Sequence, residues 1–379
     1  MEARISRPTV AMSNRVVEPS VSNALPHFVP LAIFPLLVCA ALYGGWWLAG
    51  PIAFYSITDS FDRTLGLEER NMDPAATRER QLFLYKFSLW LWGALWPAAF
   101  VFSLWQMLIS DHLAPWEIGL IAAALTLAAQ SVFIVGHELV HQRVHWECRL
   151  GEFLLASCSY PHYATEHVYI HHPHVCTPLD PGSAPKGMSF WKYLLLGLKH
   201  DLLGSWRFEK SRLARRKLPP YHYTSSFWRY AAGIVVWYGL VLWIGGPWAV
   251  LIYIPLCGAV VLSMKISNYV QHYGLRRVRM PNGRFESVKP WHAWSAAYKF
   301  SNWMYYNMQR HADHHLSNQR YPLMQHLDGS ASPQLPGSYF QMNTLALLPK
   351  KWFETIDPLL DRQRAQFYPE IDDWSAYDG

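Results

Sequence analysis

Long apolar stretches alternate with polar ones along this chain, at 28–55, 83–108, 115–136, 227–244 and 248–270. A helix needs roughly 20 mostly apolar residues to cross a bilayer, within a range of about 17–25. The first stretch is too long for one crossing, and Gly44-Gly45 interrupts it near the middle. It is therefore expected to form a hairpin of two short spans. The pattern predicts an all-α membrane protein with six transmembrane helices, near 28–43, 46–58, 83–109, 115–136, 227–244 and 248–270. A polar tail, 1–27, precedes them and carries no signal-peptide cleavage pattern. Residues 28–379 form a single membrane domain. Its polar segments, 137–225 and 271–379, lack strand-type alternation and are expected to make one helical cap, with loops near 178–187 and 331–337.

Charge placement supports that count. No Lys or Arg occurs in 16–62, 87–142 or 230–264. With six spans the external connections are Gly44-Gly45, 110–114 and 245–247, and all 33 basic residues fall on the side of both termini. By the positive-inside rule that side is cytoplasmic. Only 16% of the 379 residues are charged, against about a quarter in soluble domains. The net charge of +6 then belongs to a cytoplasmic face. Anionic lipid of the bilayer accounts for it, with an acidic soluble partner as a further possibility and no nucleic acid expected. The five cysteines form no C-x-x-C pair, which argues against a disulfide framework and a built-in four-cysteine iron site. Lys265, in the last turns of the sixth span, is expected to snorkel to the interface.

The chemistry lies in four histidine clusters, each where an apolar stretch meets polar chain: H-E-L-V-H at 137–141, E-H-V-Y-I-H-H at 166–172, N-Y-V-Q-H-Y-G at 268–274 and Q-R-H-A-D-H-H at 309–315. Neutral imidazole binds borderline metals such as iron, zinc and copper. Nine histidines exceed one ion's coordination and suit two. On a helix His137 and His141 point to one side, as do His167 and His171, and His311 and His315. His172 is turned about a quarter-rotation away, toward a second ion, and His314 adds an i, i+3 donor. His137 and His272 end their spans at one depth and would form the floor of a site that the other histidines close. Glu138, Glu166 and Asp313 are expected to hold ligand histidines by the second ring nitrogen. A zinc metallopeptidase also uses H-E-x-x-H, with Glu138 as general base, but it leaves the second and fourth clusters without a purpose.

In their order these boxes resemble the integral-membrane alkane 1-monooxygenase family, within the membrane fatty-acid desaturase and hydroxylase superfamily. The likeness extends to Thr177-Pro178-Leu179-Asp180-Pro181, to Gln334-Leu335-Pro336 with Ser338-Tyr339, and to 345–358, so that it covers roughly 28–360. It implies a six-span fold and two non-haem irons, held by His137, His141, His167, His171, His172, His272, His311, His314 and His315. It also implies a catalytic set of these with Glu138 and Asp313, in a bacterial plasma membrane. The implied reaction combines O2, an alkane, two electrons and two protons to give a primary alcohol and water, with rubredoxin or ferredoxin and its reductase as electron source. Gln271 departs from the Glu usual before the third-box histidine, and monooxygenases of alkylbenzene methyl groups can carry Gln there. A fatty-acyl desaturase would use the same histidines. The alkane's far end would lie in a tunnel closed by a bulky side chain of the second span: Trp46, Trp47 or Phe54.

Overall fold

The structure, a computed structural model, describes residues 16–73, 75–317, 327 and 331–378. Among these, regular structure is helical and strand-type pairing is confined to isolated bridges such as Leu67 with Tyr298. The principal helices are α1 (Val21–Tyr43), α2 (Ala49–Ser56), α3 (Thr58–Leu65), α4 (Phe83–Leu108), α5 (Pro115–Val140), α6 (His145–Ala156), α7 (Tyr163–Glu166), α8 (Phe190–Ala214), α9 (Ser226–His272), α10 (Lys299–Met304), α11 (His311–Leu316), α12 (Tyr339–Ala346) and α13 (Pro349–Phe367). Four helical stretches are long and apolar enough to cross a membrane: Val21–Tyr43, Glu79–Leu108, Pro115–Val140 and Ser226–His272.

The last of these is not one rod. Gly246 has φ 61° and ψ −158°, outside helical space, a region glycine enters without Cβ strain. Tyr238 and Tyr253 lie ring to ring at 5.1 Å, whereas a straight helix would separate them by about 22 Å. The chain therefore turns back at Gly246, and α9 is a hairpin whose two arms both reach Phe100 of α4, through Trp237 and Tyr253. The turn at Gly44-Gly45, with φ 56° and 52°, likewise folds α2 back on α1. A Cβ on Gly50 would stand 3.2 Å from Leu36. Glu117 joins this turn to the next connection by accepting from the backbone N–H groups of Gly45 at 2.6 Å and Ala114 at 2.8 Å.

Two boundaries and two side-chain placements differ from the sequence reading. The first helix starts at Val21, inside the expected polar tail, because the Ser20 side chain caps it by accepting from Asn23. The expected second span is divided into a short turn at Gly45–Leu48 followed by α2 and α3. Trp46 is 95% exposed at the tip of the hairpin and Trp47 is also exposed, so of the three proposed stops only Phe54 packs against the core. Lys265 does not snorkel. It is buried and ion-paired with Asp201 of α8, which also accepts from the Tyr160 hydroxyl at 2.7 Å.

The main core lies among α1, α4, α5 and α9, built on Trp92, Trp96, Phe100, Val132 and Trp237. Two backbones come close where α6 crosses α5. A Cβ on Gly151 would stand 2.9 Å from the Gly136 carbonyl oxygen and 3.0 Å from the Val140 nitrogen. Small residues let two backbones approach in this way, and the crossing fixes the last turns of α5. A second core of Tyr193, Tyr269, Tyr273, Trp294, Trp352, Ile356 and Leu360 joins the end of α9 to α8, α12 and α13.

Candidate metal centre

The helices carry nine histidines to one buried place. His137 ends α5 and His141 is its C-cap, while His272 ends α9. The π-helical turn His167–His171, with His172 directly after it, follows α7. His311, His314 and His315 lie on α11. Ring nitrogens of His137, His141, His167 and His314 all lie within 4.8 Å of one another, and so do those of His171, His272, His311 and His315.

The division of the second box corrects the sequence reading. A regular helix would put His167 and His171 on one side. Here the His172 N–H bonds to the His167 carbonyl, an i→i+5 bond, so four residues no longer complete a turn. His167 joins the first group and His171 the second. His172 does not turn to the second group with its nitrogen: its Nε2 lies 3.1 Å from both His167 Nε2 and His314 Nε2. Its ring meanwhile stacks on His315 at 4.4 Å. It stands between the groups.

The nitrogen geometry fits bound cations. The Nε2 atoms of His272, His311 and His315 are 3.0–3.1 Å apart. His272 Nδ1 faces the His292 carbonyl at 3.3 Å. A carbonyl only accepts, so Nδ1 carries the proton and Nε2 is a bare lone pair. The same logic applies to His137, whose Nδ1 meets Glu138 Oε1 at 3.0 Å while its Nε2 faces His167 Nε2 at 2.7 Å. Lone pairs converging in this way repel one another unless a cation sits among them. N–metal bonds of about 2 Å put neighbouring donors about 3 Å apart. Among the described residues, neither ring nitrogen of His141 is hydrogen-bonded, nor is His171 Nε2. Burial first, and then the adjacent imidazoles, hold His141, His167, His172, His311, His314 and His315 well below the ordinary histidine range, in the neutral donor form.

The surrounding carboxylates only partly follow expectation. Glu138 contacts His137, as expected. His171 Nδ1 is instead held at 2.9 Å by Asp180, which also accepts from Gly182 N–H and Ser183 Oγ. Sequence reading noted the T-P-L-D-P segment without giving Asp180 this role; an acid nine residues beyond a metal-box histidine was the available signal. Among the described residues Glu166 makes no hydrogen bond to any of the nine histidines. Burial, and then the Asp201 carboxylate, raise its carboxyl well above the usual range. Asp313 is buried on α11 between His311 and His314. Arg310, buried and thereby pushed down to about 10, anchors the start of α11 through Asn71 Oδ1 and the carbonyls of Glu68 and Arg70. Asp62 accepts from Ser301 N–H at 2.8 Å and so ties α3 to α10. Gln271 is buried beside His272.

Apolar crossing helices under two convergent histidine groups define a membrane protein of the desaturase type. Residues 111–341 match the family described as fatty acid desaturase, to which the chain belongs. Within it the chain is a member of the alkane 1-monooxygenase family. It is 34% identical to alkane 1-monooxygenase 2 of Pseudomonas aeruginosa over 327 residues, 82% of this chain and 83% of that protein. Alkane 1-monooxygenase 1 of the same organism is 31% identical over 325 residues, 83% of this chain and 82% of that protein. The xylene/toluene monooxygenase hydroxylase component of Pseudomonas putida is 27% identical over 241 residues, 63% of each.

Proposed function

We propose that this protein is a membrane di-iron monooxygenase that hydroxylates the terminal C–H bond of an alkane. The observation that carries the reading is the pair of buried histidine groups at the ends of apolar helices, in a chain whose relatives are named alkane 1-monooxygenases. His137, His141, His167 and His314 would hold one iron and His171, His272, His311 and His315 the other, with His172 between them. A terminal alkane C–H bond has neither acidity nor polarity, so no side-chain acid or base can break it. The two irons supply activation of dioxygen and the oxidising power that cleavage requires.

The protein's own residues prepare that chemistry. Glu138 and Asp180 fix the rings of His137 and His171 by Nδ1 and leave each Nε2 free to ligate. Phe133, one turn before His137, and Tyr163, stacked on His167 at 4.7 Å, form an apolar wall at the first group that keeps water back. An alkane dissolves in lipid, so the approach to this wall runs between helices of the bilayer. The chain carries no second redox motif, and its five cysteines are free; electrons then come from rubredoxin or ferredoxin with its reductase. We read the hairpins at Gly44-Gly45 and Gly246 as two further crossings, giving six spans, a cytoplasmic cap and both termini inside the plasma membrane.

One feature supports a second reading. Gln271 stands where alkane hydroxylases usually carry Glu, and the relative from Pseudomonas putida acts, by its name, on xylene and toluene. Membranes containing the protein, supplied with rubredoxin, its reductase and NADH, are offered octane, hexadecane, xylene and a fatty-acyl substrate in parallel. Gas chromatography should find 1-octanol or 1-hexadecanol. Benzylic alcohol alone would favour the second reading, and an unsaturated acyl chain without alcohol would refute hydroxylation. The purified protein should hold two irons per chain; one zinc without iron would point to a metallopeptidase.

A further inference from the structure

Away from the histidine groups, a cavity of about 510 Å³ opens among the end of α5, the start of α9, α6 and α8. Five arginines line it: Arg143, Arg149, Arg212, Arg216 and Arg229. The carboxylates in its wall are Glu152 and Glu209. Glu152 takes Arg149 Nη1 at 2.6 Å, and without Arg143 the other four arginines against two carboxylates still leave two positive charges facing a single cavity. Like charges at close range repel unless an anion offsets them.

The carboxylates do more than offset charge. Glu209 takes the Nε and Nη2 edge of Arg212 at 2.7 and 2.8 Å, and Glu152 the same edge of Arg229 at 3.0 Å twice. Arg212 Nη2 also donates to the Thr224 carbonyl, and Arg229 Nη2 to Ser226 Oγ. Two guanidinium planes are thus held rigidly by one edge. Among the described residues their Nη1 groups make no hydrogen bond, and the Arg216 side chain makes none at all. Fixed forks with open donors suit the tetrahedral oxygens of phosphate, which arginine binds by paired, charge-assisted hydrogen bonds. Apolar side chains of Val140, Val168 and Phe208 share the lining, which suits a headgroup with its glycerol end buried. Val140 ends one apolar helix and Ser226 begins another. On the six-span reading this is the depth of lipid headgroups.

We propose that this cavity binds a phosphate group, carried by an anionic phospholipid or free in solution. The readout is binding, so failure of the six-span or oxygenase reading would show separately. Iron-loaded protein, delipidated in neutral detergent, is titrated with phosphatidylglycerol and with phosphatidylcholine in native mass spectrometry. In parallel, its melting temperature is followed in inorganic phosphate against chloride at matched ionic strength. Phosphatidylglycerol should bind as one tight copy, and Arg216→Gln should weaken it roughly tenfold by removing one charge-assisted contact. Arg215→Gln, at an exposed neighbour bonded to Ser211 and outside the lining, should leave binding unchanged. Lipid preference without a phosphate effect assigns the headgroup. A phosphate-induced rise in melting temperature that Arg216→Gln abolishes, with no lipid preference, assigns soluble phosphate to the same arginines. Equal binding of both lipids with no phosphate effect would overturn the proposal, as would equal weakening by both variants.

Discussion

At the scale of single residues, the nine histidines were legible because clustered imidazoles at apolar boundaries have few uses other than metal binding. Their partners were less legible. Glu138 sits next to its histidine in sequence and was readable; Asp180 reaches His171 only because the chain turns at 177–183. Asp180→Asn keeps one oxygen acceptor, for Gly182 or for Ser183, and removes the charge behind His171. Its iron affinity should fall by about 10–100-fold, the usual cost of losing such a partner. Chelator competition with iron measured by mass spectrometry checks this, and unchanged retention would show that Asp180 is only a turn former. His137→Ala and His315→Ala each remove a donor from a different group. Each should abolish oxidation and bring iron from two per chain toward one; full activity in either variant would sink the ligand assignment. Lys265 was misread for the opposite reason: a lysine near a helix end has an exit by default, and its partner Asp201 lies 64 residues earlier in the chain.

Elements were legible where composition alone decides them, as in α4 and α5, and less so where packing decides. The shortness of α2 and α3 follows from the glycine turn and from Asp62 binding Ser301, and the sequence pattern there shows only a continuous apolar run. The contact of Gly136 with Gly151 sets the height of His137 and His141 above the apolar core. Gly151→Ala places a methyl group against backbone at 2.9 Å, so α6 must shift outward. Such overpacking costs about 1–3 kcal/mol, and the first histidine group should lose iron before the second. A variant with unchanged melting temperature and both irons retained would mean that the crossing yields at no cost. The proposed stop for substrate length belongs to an element too. Phe54 lies on α2, whose next residue, Tyr55, reaches Ser131 of α5 at 3.4 Å, six residues before His137. Phe54→Ala should admit longer alkanes at unchanged iron content. If the upper chain length stays fixed, the stop belongs to another helix.

At the scale of the whole molecule, the six-span proposal rests on basic residues that its alternating hairpins would confine to one side. Both glycine turns lie where that alternation requires a reversal. Reporter tags at either terminus and within 186–220 should therefore read as cytoplasmic, and one within 110–114 as external. An external C-terminus would mean that one of the two glycine hairpins does not cross. What the sequence could not show at this scale is how 137–225 and 271–378 interleave. That arrangement depends on buried contacts between distant residues, such as Tyr273 with Asp357 and Arg364 with the Gly274 carbonyl.

The π-helical turn at His167–His171 amounts to one surplus residue in a helix. Deleting a single residue from Val168, Tyr169 or Ile170 would restore ordinary pitch and leave three steps of about 100° from His167 to His171 where four smaller ones now stand. His171 would swing out of one group, and His172 would lose its place between the two. Such a chain would keep all nine histidines and all its apolar helices, yet it would be disabled by a loss of three nucleotides. The length of the spacer in E-H-x-x-x-H-H therefore carries information of its own, separate from the residues that flank it.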